Sequence, residues 1–179
     1  MPHHAQKRHT RKPRAFTLIE LVSVLVLVSI LSATAIPALA RLDRARDAAL
    51  LNECDRLIRF SQAHANSTGM PTGARFDLDD QSVAVLTIGT TPGSASSVLR
   101  AGTGLPIELS VSSAFPGASL ASSGGQTSGT AVLWFDYDGS PQTRDSSGEH
   151  PLALTEEFIV RVSSGSEIRV QPSTGVILR

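Results

Sequence analysis

Residue types able to do chemistry are scattered along the 179-residue chain, but only one sits where its charge is expensive. Glu20 follows Phe16-Thr17-Leu18-Ile19 and opens an apolar run, Leu21 to Ala40, that contains no charged residue. A carboxylate at the edge of such a segment is costly and marks a functional position by default. The other candidates read as ordinary structure. Asp136-x-Asp138-Gly139 opens like a calcium loop, but Ser147 stands where the twelfth-position Glu is needed, so a hairpin turn is the better reading. Asp77, Asp79 and Asp80 read as a solvated turn. His3, His4 and His9 fall near the N-terminus, and His64 and His150 are isolated. Cys54 is the single cysteine, which excludes an intramolecular disulfide and suits a small packing residue. Serine is plentiful, yet neither Gly-x-Ser-x-Gly nor His-Glu-x-x-His occurs, and no nucleophile, base and orienting group come together. The chain therefore reads as non-enzymatic, with no cofactor and no metal.

The element around Glu20 is the most telling. At about 1.5 Å per residue, a helix over the apolar run covers roughly 30 Å, the hydrocarbon thickness of a bilayer. A core helix rarely stays apolar on every face for that length, so membrane insertion is preferred. Lys7, Arg8, Arg11, Lys12 and Arg14 precede the run, whereas Arg41, Asp43, Arg44, Arg46 and Asp47 follow it. That asymmetry keeps the N-terminus cytoplasmic and sends the C-terminal bulk across the membrane. Outside residues 1–14 there are 11 basic and 16 acidic side chains, a net of −5. An electropositive nucleic-acid-binding body is disfavoured on that balance. A conventional signal peptide cut at Ser32-Ala33-Thr34-Ala35 or Ala38-Leu39-Ala40 would instead release a soluble domain, and this alternative stays open.

Ala15-Phe16-Thr17-Leu18-Ile19-Glu20, with its basic leader and apolar helix, resembles the class III signal of type IV pilins and type II secretion pseudopilins. Pro37, late in the helix, also matches. The resemblance implies a leader, residues 1–15, cut by prepilin peptidase between Ala15 and Phe16, and N-methylation of the new Phe16 amine. Ala15 replaces the family's usual Gly. Residues 16–40 would then stay on the protein as membrane and assembly helix. Glu20 would pair with the Phe16 amine of a neighbouring subunit, so that two groups costly alone in an apolar filament satisfy each other.

Residues 41–66 continue the helix. They contain no Gly or Pro, and Leu50, Cys54, Leu57, Ile58, Ser61 and Ala65 recur at three- and four-residue spacing. Asn66-Ser67-Thr68-Gly69 and then Pro71 supply the stop. A continuous helix over 16–66 would be about 75 Å long, with Pro37 expected to kink or loosen it. Beyond it, residues 70–179 form a β-rich domain with short strands at 74–78, 82–88, 105–111, 131–137, 157–162, 168–170 and 176–178. Asp138-Gly139 and Gly165-Ser166 suit hairpin turns. The Ser/Gly-rich stretch 112–130 reads as a loop outside the core. The fold class is α+β: a long N-terminal helix packed on one C-terminal antiparallel sheet.

The stretch Val132 to Gly139, Phe158-Ile159-Val160, Ile168-Arg169-Val170 and Thr174-Gly175-Val176 resemble the C-terminal hairpins of GspH/FimT-type minor pseudopilins. That resemblance implies a subunit of a type II secretion pseudopilus. Its partners would be other pilins or pseudopilins, prepilin peptidase, the inner-membrane assembly platform and membrane lipid. It would be a single-pass inner-membrane protein with its domain in the periplasm before joining the pseudopilus. Some FimT-like relatives bind DNA through basic residues near the C-terminus. Arg161, Arg169 and Arg179 are the candidates here, a weak signal on an acidic domain, so nucleic acid is not the expected partner.

Overall fold

The computed structural model describes residues 17–88, 95–144 and 151–179. The chain divides into two compact units, Met1–Ala40 and Arg41–Arg179. Helix α1, Leu18–Thr68, runs through both and stays helical at position 37. It ends where expected: Gly69 adopts φ +67° and its N–H returns to the Ala65 carbonyl, the left-handed stop a glycine gives without a Cβ penalty.

In the first unit α1 is apolar all round. Its most apolar 18-residue window has a mean hydropathy of 2.4, and no part of that window is buried. It is the one helix among the described residues long and apolar enough to cross a membrane.

In the second unit α1 buries one stripe. Leu50, Cys54, Leu57, Ile58, Ser61 and Ala65 are each at most 2% exposed, as their spacing required. Among the described residues eleven short strands and one short helix follow: β1 Thr72–Asp77, β2 Ser82–Ile88, β3 Ala95–Ser97, β4 Glu108–Ser110, α2 Val111–Ala114, β5 Leu120–Ser123, β6 Thr130–Phe135, β7 Pro141–Thr143, β8 Leu152–Ala153, β9 Phe158–Val162, β10 Glu167–Val170 and β11 Ile177–Leu178. All strand pairings are antiparallel. The α+β class with a long N-terminal helix is thus the observed one.

Two expectations need correction. The strands form two sheets, not one: β3-β2-β1-β6-β7-β8 with β4 beside β2, and β11-β10-β9-β5. Both sheets contribute to one core with α1, through Ala74, Phe76, Val83 and Leu133 from the first and Phe158, Val160, Val162 and Ile168 from the second. Phe76 and Phe158 meet across it with ring centroids 5.9 Å apart. The second correction concerns 112–130, which is not outside the core. It holds the end of α2 and all of β5, and Ala118, Leu120 and Ser123 are buried.

The reason lies in Gln81, at φ +49° in the β1–β2 turn. Its Nε2 donates to the Leu78 and Leu120 carbonyls at 2.7 and 3.1 Å, and its Oε1 accepts from the Leu120 N–H at 2.8 Å. One side chain thereby satisfies both backbone groups of Leu120 and fastens β5 to the other sheet. Pairing with β9 supplies the rest.

Candidate functional site

The N-terminal segment carries the chemistry, and its geometry begins with a cap. Thr17 precedes the first helical residue, Leu18. The Thr17 N–H and hydroxyl both donate to Glu20 Oε2 at 3.1 Å, while the Glu20 N–H donates to Thr17 Oγ1 at 3.3 Å. This reciprocal Thr-x-x-Glu arrangement is a capping box, which satisfies backbone donors that the first helical turn otherwise strands. Two serine hydroxyls deeper in the apolar run also bond within the helix, Ser23 to the Ile19 carbonyl and Ser29 to that of Leu25, both at 2.8 Å. Hydroxyls satisfied in this way are tolerable in hydrocarbon. The carboxylate of Glu20 is the one acidic group in the first unit.

Ala15 and Phe16 lie outside the described residues, as do His3, His4, His9 and His150. Thr17 is the functional neighbour that reading Glu20 for its membrane cost alone missed, although Thr-x-x-Glu ahead of an apolar run is itself a helix-start signature.

The three C-terminal arginines lie near one another with acids between them: Arg161 and Arg169 share the Glu167 carboxylate, and Arg161 and Arg179 line one pocket with it. Arg161 donates to Glu167 Oε2 through Nε at 3.0 Å and Nη2 at 2.6 Å. Arg169 donates to Glu167 Oε1 at 2.6 Å and approaches Glu157 at 3.5 Å. Arg179 reaches back to α1, to Asn52 at 2.5 Å and Asp55 at 2.7 Å. Arg161 and then Arg169 hold the Glu167 carboxyl below its usual range. Each arginine is matched by a carboxylate of its own chain, which lowers the potential it offers a phosphate.

The remaining candidates are structural. Asp138 Oδ1 accepts from the Ser140 N–H at 2.9 Å, and Asp136 Oδ2 from Gln142 at 3.0 Å, so both serve the β6–β7 hairpin with Gly139 at φ +80°. Asp77 Oδ1 accepts the N–H groups of Asp80 and Asp79 at 2.9 and 3.2 Å, closing the β1–β2 turn. The Asp80 N–H contributes most to holding the Asp77 carboxyl low, with smaller help from Thr130 and the Asp79 N–H. His64 Nδ1 lies 3.1 Å from Thr72 Oγ1. Burial pushes the Cys54 thiol up to about 12, which fits a packing residue. Sequence reasoning also missed Asp47. It is 6% exposed and accepts from Ser163 Oγ at 3.3 Å and the Ser164 N–H at 3.0 Å, tying α1 to the β9–β10 turn.

Residues 10–36 match the prokaryotic N-terminal methylation motif. The chain thus carries a type IV pilin-like signal, which implies processing by prepilin peptidase and assembly into a pilus-like filament. The apolar helix that this signal enters is consistent with anchoring in the inner membrane. The match ends at residue 36 and does not extend to the β domain. No curated protein and no solved structure matches the chain.

Proposed function

We propose that the chain is a structural minor pseudopilin of a type II secretion system, an assembly subunit and not an enzyme. Prepilin peptidase would cut between Ala15 and Phe16, and the Phe16 amine would be methylated. Residues 16–40 would hold the protein in the inner membrane with residues 70–179 in the periplasm. The assembly platform would then pack it beside other pseudopilins through the apolar helix.

The observation that carries this reading is a single carboxylate in the otherwise uncharged stretch 16–40, within the matched motif. A cleaved secretory signal gains nothing from Glu20, whereas a helix that stays and packs can use it to select and register a neighbour's amine. A DNA-uptake pilin is the second reading. The carboxylate partners of Arg161, Arg169 and Arg179 weigh against it.

Mass spectrometry of membrane-extracted protein should give a chain beginning at N-methyl-Phe16. A start near Arg41 would overturn the proposal. Glu20→Ala should abolish filament incorporation while cleavage proceeds, and normal incorporation would refute the role of Glu20. Deleting the chain should impair export of secreted proteins and leave DNA uptake unchanged; the reverse result would favour the second reading.

A further inference from the structure

Between β3 and β4, both paired with β2, the chain makes an arm. Leu99 bridges Pro106, and the Arg100 N–H donates to the Leu105 carbonyl at 2.8 Å. The arm and α1 together line a pocket of about 490 Å³, with Phe60 and His64 from the helix and Leu99, Arg100 and Ile107 from the arm. The Phe60 and His64 rings lie 5.7 Å apart between centroids and form an aromatic wall. Leu99 at the pocket and Leu105 beside Arg100 are 58% and 63% exposed, so apolar surface is left uncovered here. No carboxylate among the described residues lines the pocket. Arg56, also on the lining, is bonded to Glu53 at 2.8 Å. Arg100 forms no ion pair among the described residues, so the pocket carries a surplus positive charge.

The complementary features stand elsewhere on the same unit. Tyr137, the sole tyrosine, is 64% exposed at the tip of the β6–β7 hairpin. Beside it Asp138 is exposed, accepts from the Ser140 N–H at 2.9 Å, and forms no ion pair among the described residues. The tip rests on α1 at Gln62 and Asn66. Gln62 Nε2 donates to the Gly139 carbonyl at 3.0 Å, and a Cβ on Gly139 would come within 2.8 Å of Asn66. At 3.6 residues per turn, Gln62 lies about 200° around the helix from Phe60, and Asn66 about 200° from His64. The sheet order agrees: the arm leaves from β2 and the tip from β6, with β1 between them. Knob and pocket are therefore on opposite sides of α1. Two copies that join them use two different surfaces, and each contact leaves one knob and one pocket free for further copies.

We infer that Tyr137 and Asp138 of one copy dock into the Phe60–His64–Arg100 pocket of a second copy, joining copies of this chain head to tail. The phenol ring covers the apolar walls, and the carboxylate meets the guanidinium that lacks an acid of its own. Opposite charge on the two surfaces is what selects this pairing. The inference goes beyond the pseudopilin reading, which leaves the neighbour unspecified, and its failure would not touch the Phe16 terminus or the Glu20 test. Sedimentation of the full chain in density-matched detergent should show concentration-dependent species larger than a dimer. Arg100→Asp and Asp138→Arg should each weaken association at least about tenfold, because each sets like charges against each other. Mixing the two variant chains should restore it, since every contact in an alternating row again pairs opposite charges. As an independent measure, a Leu99→Cys chain and a Tyr137→Cys chain should cross-link to each other under mild oxidation, well above either chain alone; Cys54 is buried and does not compete. A monomer at every concentration, undiminished association of the reversed chains, or a mixture no stronger than its components would overturn the docking. Species that stop at a closed dimer would overturn the head-to-tail arrangement. The cysteine pair keeps Arg100 and Asp138, so absence of its cross-link overturns the proposal even where a reversed chain is unstable.

Discussion

Gln81 offers a test of how the second sheet is held. Gln81→Ala removes three side-chain hydrogen bonds, of 2.7, 3.1 and 2.8 Å, and two of them serve the backbone of Leu120, which is 4% exposed. At about 1 kcal/mol net for each, the loss comes to about 3 kcal/mol. Alanine would also keep the strained φ of +49°, which costs a residue with a Cβ about 1 kcal/mol. Gln81→Gly loses the same bonds but relieves that strain, so it should be the milder change by up to about 1 kcal/mol. Urea unfolding followed by Trp134 emission would measure both, and limited proteolysis should open first within 112–130. A loss below about 1 kcal/mol for Gln81→Ala, or a glycine variant less stable than the alanine one, would refute the clasp and leave β5 held by β9 alone.

Three further outcomes follow from other residues. With its thiol near 12, Cys54 should resist iodoacetamide at pH 8 in the folded chain and react once urea exposes it. Alkylation of the native protein at the rate of a free thiol would contradict its burial. Glu167 is held below its usual carboxyl range by Arg161 and Arg169, so its contribution to stability is full above about pH 4.5. It is lost as pH falls through the lowered value, and Glu167→Gln should flatten that part of an acid-unfolding curve. Asp47→Ala strands the Ser164 N–H and the Ser163 hydroxyl and should cost about 2 kcal/mol, with Asp47→Asn recovering part of it in the same urea assay.

What could be read from the sequence was what local spacing determines. The buried stripe from Leu50 to Ala65 follows from helical period alone, and β2, β9 and β10 follow from runs of branched residues flanked by turn formers. Strand β5 escaped because Leu120-Ala121-Ser122-Ser123 has almost no strand composition; its pairing comes from β9 and Gln81, about forty residues away on either side. The division into two sheets was illegible for the same reason. Antiparallel pairing of β1 with β6 spans more than fifty residues, and no local pattern records which strands will meet. Alternation along β6 places Trp134 on the face away from Leu133 and Phe135.

Glu20 has two demands on it, and they fall on different parts of the group. The cap needs only an acceptor at the third helical position, and among the described residues it is Oε2 that meets the Thr17 donors. Pairing with a neighbour's amine needs the negative charge. Glutamine preserves the first and removes the second, whereas Thr17→Val removes the hydroxyl half of the box and preserves the charge. Were Glu20 only a cap, the two substitutions would weaken assembly to similar and small degrees, because a cap contributes about 1 kcal/mol to one helix end. Were it the register charge, Glu20→Gln would abolish incorporation and Thr17→Val would leave it largely intact. The cap still matters in that case. By holding Oε2 against the first turn it fixes where the charge lies along the helix, and a charge fixed in position is what allows one subunit to set the axial offset of the next.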